Sequence, residues 1–342
     1  MTVESQISYN CTGVMAPVTL SYLSAIVGAI YCPITTIGNG LVIVSILVDP
    51  FKELRTQFNF FVANLAVADL IIGCLIDPLT SWAHFQEAKR VEVRNEYPRF
   101  VEFCHYMYFA SVSASLLTLS ALSIDRFIAV RFPLRYRCQV SFVRYGIAAV
   151  FIWAVSFGLS AMYFVIGYVM MAWVMASFSC VFTFIIMLCC YFLLYLVIKS
   201  REEGLLATLH ADELALQAKD DQSDPRAVDQ SVKRCKEKEK NINERKNVAQ
   251  TKKVVSVLIV MFGLFLVCFV PATIMIFIIN LQQGDCIFRH WLRDLQLLFC
   301  ITSSLINPFI YTIRLPNFRR AILVVLRLRK TNSIGPASTT RA

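Results

Sequence analysis

Charge is scarce in this sequence. Only 16% of its 342 residues are Asp, Glu, Lys or Arg, where a soluble domain carries about a quarter. Histidine is scarcer still: His84, His105, His210 and His290 are the full set, at span ends or in a loop, with no two at metal-ligand spacing. Catalysis inside a bilayer would want paired carboxylates, a Ser/His pair or a metal cluster, so an enzyme is not expected. No internal repeat is present, and with it the inverted-repeat signature of many transporters is missing. A transporter or channel remains the alternative, but it would want ionisable residues at mid-membrane on several helices, and only Asp69 is deep. The scarcity of charge also argues against a cytosolic protein. The excess of base is better explained by membrane topology than by nucleic acid, which is not an expected partner.

Apolar residues make up 57% of the chain and come in long uninterrupted runs. Runs of about 20 such residues are membrane spans. Residues 21–48, 58–83, 104–130, 254–281 and 295–313 each supply one. Residues 145–198 are 54 positions without a charge. As one helix they would reach about 80 Å against a hydrocarbon core of about 30 Å. This run must fold back once, with Gly167 as the turn and spans near 142–166 and 172–200. The expected fold is therefore all-α, a seven-transmembrane helix bundle over 22–313. An extracellular segment, 1–21, precedes it, and a cytoplasmic segment, 314–342, follows.

Of the 33 Lys and Arg residues, 27 fall in 49–57, 126–144, 199–253 and 314–342. By the positive-inside rule these segments are cytoplasmic and the N-terminus is outside. No cleavable signal is legible before the first span. Asn10-Cys11-Thr12 is then a glycosylation acceptor on the outer side, at Asn10. The polar loop 199–253 carries mixed charge and is expected to extend the flanking helices around a flexible middle near Ser223-Asp224-Pro225.

Several polar residues interrupt the spans at cost, which makes each a functional candidate. They are Asn39 in span one, Asp69 in Leu65-Ala66-Val67-Ala68-Asp69, Ser115 in span three and Asn307-Pro308 in span seven. With them stand Asp125-Arg126-Phe127, Trp153, Tyr195, Phe265-Leu266-Val267-Cys268-Phe269-Val270-Pro271 and Asn307-Pro308-Phe309-Ile310-Tyr311. In this order, each on its own helix, they resemble the rhodopsin-like (class A) G-protein-coupled receptors over residues 30–325. The resemblance implies a plasma-membrane receptor for an extracellular ligand, with a heterotrimeric G protein as its inner partner. It implies that Asp125 holds Arg126 inward at rest. Helix six then swings about Pro271, releasing Arg126 toward Tyr195 and Tyr311, while Phe265, Phe269, Pro308 and Leu134 complete the switch and coupling surface. It further implies an internal Na+ pocket of Asp69, Ser115, Ser303 and Asn307, whose oxygens are hard ligands. A short amphipathic eighth helix is expected to begin at Phe318-Arg319-Arg320 on the inner lipid surface. Thr251 stands where some relatives keep a glutamate at the inner end of helix six, so a second ionic latch is missing and ligand-free activity is expected.

Within that family the outer features resemble the melanocortin receptors. The second outer loop is very short and lacks a cysteine, Val101 replaces the usual helix-three cysteine, and Met187 replaces the helix-five proline. That likeness implies a bridge between the N-terminal segment and the third outer loop, which Cys11 and Cys286 can supply. The acidic positions of the melanocortin pocket are Leu79, Val101 and His105 here, with Asp77 and Glu102 displaced to other helix faces. Amine receptors have an aspartate where Tyr108 stands, opsins a lysine where Ile301 stands, and adenosine receptors an asparagine at Ile276, although the tail Arg314-Leu315-Pro316-Asn317-Phe318-Arg319 is similar to theirs. The expected pocket lining is Tyr108, Phe109, Val112, Ser179, Thr183, Phe269, Thr273, Ile276 and Leu297. Such a lining suits a neutral, apolar or lipid-like ligand better than a cation.

Overall fold

The computed structural model describes residues 14–91, 96–133, 135–136, 142–217, 255–256, 259–281 and 285–327, leaving aside the side chains of 178–180, 205 and 208–217. Asn10, Cys11, Leu134, Thr251, Ser223 and the side chain of Ser179 fall outside this description. Below, the end of the bundle holding residues 14–17 is called outer and the end holding Arg126 inner.

Seven helices are long and apolar enough to cross a membrane. α1 is Val18–Val48, α2 Gln57–Ala88, α3 Pro98–Arg131, α4 Phe142–Ala161, α6 Ile259–Leu281 and α7 Cys286–Arg314. α5 begins within a helical run, Tyr163–Val174, passes through a π turn, Met175–Cys180, and continues as Val181–Gln217. Gly167 breaks that run with φ 78°, ψ 175°, a conformation an L side chain resists. Residues 163–166 thus finish the fourth crossing, and one glycine turns the chain into the fifth. A single residue suffices because its left-handed backbone reverses the chain where the two helices meet at their outer ends.

Local chemistry sets the helix ends. The Asp49 carboxylate closes the α1–α2 turn by accepting the backbone N–H groups of Glu53 and Leu54, each at 2.9 Å, and of Arg55 at 3.2 Å. Thr56 caps α2 through Asn59 N–H at 3.3 Å, and Asp285 caps α7 through Ile287 and Phe288 N–H at 2.9 and 3.2 Å. α3 opens on Pro98, and the short α8 (Pro316–Val325) opens on Pro316, where a missing N–H costs nothing. α8 buries Phe318 against Tyr311, with ring centroids 5.9 Å apart.

The bundle is held by few but specific polar stitches inside an apolar core. Trp153 Nε1 of α4 donates to Asn64 of α2 at 3.1 Å, and Asn64 Nδ2 donates to Thr118 of α3 at 2.7 Å. Asn39 of α1 donates to the Ser304 carbonyl of α7 at 3.1 Å. Beside it Gly38 lies so close to Pro308 that a Cβ would sit 3.0 Å from the ring. Outward faces are as apolar as the core: Ile147, Val150 and Phe151 of α4 are all about two-thirds exposed, as in a helix facing lipid. The chain is a multi-pass membrane protein.

Candidate functional site

Arg126 sits at the inner end of α3 and is held there from several sides. Its Nε donates to Asp125 Oδ2 at 2.9 Å, and its Nη2 donates to the same oxygen. Nη2 also donates to the Tyr136 hydroxyl at 2.7 Å. The guanidinium lies over the Phe58 ring of α2 at 5.2 Å from its centroid, a cation–π contact. Asp125 Oδ1 accepts the hydroxyls of Tyr136 at 3.0 Å and Tyr145 at 2.6 Å. Burial raises the Tyr136 phenol above its ordinary pKa, with Arg126 pulling the other way. It therefore stays protonated and can donate. Arg201 of α5 reaches the Val130 carbonyl at 2.5 Å, satisfying an end-of-helix oxygen of α3.

The two tyrosines expected to receive Arg126 are placed differently. Tyr195 is exposed on α5, whereas Tyr311 is fully buried with its hydroxyl lacking a partner among the described residues. Above Arg126, the α6 rings Phe262, Phe265 and Phe269 stack in sequence, with centroids 6.3 and 5.3 Å apart. Pro271, two residues further along α6, has no backbone N–H to give to the helix.

In mid-bundle, Asp69 is buried and accepts Asn307 Nδ2 at 2.7 Å and the Ser115 hydroxyl at 3.5 Å. Ser303 is a correction to the expected cluster. Its hydroxyl turns back to the Cys300 carbonyl at 2.7 Å, the local bond that serines in helices favour. Ser304, one position on, stands against the carboxylate instead. A carboxylate, two hydroxyls and an amide remain a donor set that suits Na+.

Between α3, α5, α6 and α7 lies a small cavity of about 30 Å³. Tyr108, Phe109, Val112, Phe269, Thr273 and Ile276 line it as expected. Thr183 and Leu297 do not. The π turn in α5 adds a residue to one turn and rotates everything after it, so Met175 and Ala176 form that wall and Thr183 meets Ser120 at 3.4 Å. Leu297 is one position, or about 100° of helix, past Gln296. Gln296 and Cys300 face the cavity, and Gln296 Nε2 donates to the Tyr108 hydroxyl at 3.5 Å. Leu297 lines instead a second crevice, of about 140 Å³, between α1, α2 and α7. His105 is engaged by aromatic neighbours: Nδ1 lies 3.0 Å from the Tyr163 hydroxyl and the ring 4.4 Å from that of Tyr168.

The outer ends of α1, α2 and α7 share a charged cluster that sequence reasoning missed. Arg293 joins Asp294 at 2.7 Å and Glu87 at 3.2 Å. His84 Nδ1 is 3.2 Å from Glu87, and Ser24 and Ser21 donate to Asp294 and Glu87 at 2.8 and 3.1 Å. The chain entering α1 is clasped by Arg90, donating to the Ala16 carbonyl at 3.0 Å, and by His290, 2.9 Å from the Val14 carbonyl. Cys286 is disulfide-bonded; Cys11, its expected partner, lies outside the described residues. Tyr136, Tyr145, Gln296 and this cluster share one trait: they are polar tips at span ends or next to bends, where hydropathy gives no signal of facing.

Residues 38–311 match the model of the 7 transmembrane receptor (rhodopsin family). The human trace amine-associated receptor 1 is 28% identical over 324 residues, covering 85% of this chain and 84% of that receptor. The alpha-1A adrenergic receptor of Bos taurus is 26% identical over 355 residues, covering 94% and 72%. Neither bears a melanocortin receptor's name. The family match spans nearly the whole bundle, including every motif from Asn39 to Tyr311, and its members are signalling receptors rather than enzymes. The chain belongs to the rhodopsin family of seven-transmembrane, G-protein-coupled receptors.

Proposed function

We propose that this receptor faces outward with its N-terminus, senses an apolar or lipid-like extracellular ligand, and signals by releasing Arg126 to a heterotrimeric G protein as α6 swings about Pro271. The observation that carries the reading is the state of Arg126. It is held by Asp125 and Tyr136, while the buried Tyr311 hydroxyl has no hydrogen-bond partner among the described residues and would receive it. The ligand class is supported by the cavity wall, which has aromatic and aliphatic groups, hydroxyls and one amide but no carboxylate. Asp69, with Ser115 and Asn307, would hold an allosteric Na+. α8 would rest on the inner lipid surface, and Cys286 would pair with Cys11 in the melanocortin-like manner.

One observation favours a second reading of the ligand. The relatives named above are amine-associated and adrenergic receptors, and Glu87 and Asp294 stand together at the outer rim around Arg293 and His84. Asp294 also borders the 140 Å³ crevice, where its carboxylate would attract a protonated amine outside the central cavity.

The test is ligand-free recruitment of a panel of G-protein α subunits in cells, wild type beside Arg126→Ala, at matched surface expression. Recruitment of one subtype, lost in the variant, is the expected result. A signal that survives Arg126→Ala would sink the switch. The same assay, run with apolar compounds and then amines, separates the two ligand readings, and only the second predicts loss of response on Asp294→Asn.

A further inference from the structure

Asp125 divides its two oxygens between two kinds of partner. Oδ2 carries Arg126, while Oδ1 takes the hydroxyls of Tyr145 at 2.6 Å and Tyr136 at 3.0 Å. The two phenols also lie 3.2 Å from each other. Tyr145 is on α4, a helix with no part in the switch as read from the motifs. Its ring is wedged edge-on between Phe60 and Phe61 of α2, with centroids 6.1 and 5.3 Å away. Packing therefore aims this hydroxyl, with little rotamer freedom left to lose.

The carboxylate is buried, and its bonds to the phenols are charge-assisted. Release of Arg126 needs the Asp125 carboxylate to turn away from it. Donors fixed on Oδ1 oppose that turn, because they hold the carboxylate's orientation. Tyr136 adds a bond that release must break outright, since it accepts directly from Arg126.

We propose that Tyr145, acting with Tyr136, is a positioning residue that latches Arg126 at rest from the helix-four side, in the role a helix-six glutamate would otherwise fill. The proposal rests on the reading of Arg126 as the switch, and it lowers, without abolishing, the ligand-free activity expected from the missing helix-six latch. A hydrogen bond to a charged acceptor shifts a two-state equilibrium by about tenfold.

Tyr145→Phe removes the hydroxyl and keeps the ring between Phe60 and Phe61. In full-length receptor at matched surface level, it should raise ligand-free G-protein recruitment by up to about tenfold. Tyr136→Phe should also raise it, and in an Asp125→Ala background Tyr145→Phe should add nothing. That non-additivity is what a merely structural role would not give. Recruitment at the wild-type level in Tyr145→Phe while Asp125→Ala is elevated overturns the latch, as does an equal rise in both backgrounds. If no variant recruits, amide hydrogen exchange of residues 259–268 in the purified receptor decides. Faster exchange in Tyr145→Phe upholds the latch and places the failure in G-protein coupling. Unchanged exchange overturns the latch.

Discussion

Two buried carboxylates on α2, Asp69 and Asp77, stand eight residues apart and live differently. Asp69 is held by Asn307 and Ser115. Asp77 is fully buried, and among the described residues the Thr35 hydroxyl of α1, loosely placed, is the polar side chain beside it. Between them lies the π turn Ile72–Ile76, which rotates the outer half of α2 so that Asp77 faces α1 rather than the bundle axis. The difference teaches that in a membrane helix the depth of a charge and the direction it faces are separate facts. Depth follows from counting along the chain, whereas direction follows from every residue of winding before it.

The comparison can be broken at three points. The largest effect is expected from Asp69→Leu, which keeps the shape but strands the Asn307 donor in a dry interior. It should destabilise the purified receptor by about 3 kcal/mol and abolish any stabilisation by Na+ over choline. A thermal unfolding curve unchanged from wild type would show that Asp69 is not held as described. Next comes Gly73→Ala, inside the π turn. A Cβ there would lie 2.8 Å from the Thr36 backbone nitrogen, so α1 must move away, at a cost of about 2 kcal/mol. The smallest effect, opposite in sign, is expected from Asp77→Leu. Removing a buried carboxylate that has only a loosely placed hydroxyl beside it among the described residues should stabilise by about 1 kcal/mol. If Asp77→Leu unfolds as readily as Asp69→Leu, the two sites are alike and the contrast fails.

Much of the fold was legible because hydrocarbon asks so little of a sequence. A bilayer needs only apolar length, so the seven spans, the fold-back at Gly167 and the basic loops could be read by counting. Asp69, Asp125, Arg126 and Asn307 were legible because polar groups in a span are costly enough to stand out. What escaped was rotation. Thr183 was misplaced by a π turn that nothing in its neighbours announces, and Leu297 and Ser303 each missed by one position, about 100°. Tyr145 escaped for another reason: a tyrosine at the mouth of a chargeless run looks like any interfacial aromatic. Only its distance to Asp125, which lies on a different helix, distinguishes it.

The one-residue link at Gly167 has a mechanical consequence. Most loops are slack, and a helix can slide without its neighbour feeling the pull. Here α4 and α5 are spliced with no slack at the outer rim, so an axial or inward shift of α5 around a ligand must tug α4 along its length. The other end of α4 carries Tyr145. The helix thus works as a rigid strut, fastened beside the cavity that Met175 and Ala176 line at one end and to the arginine's counter-ion at the other.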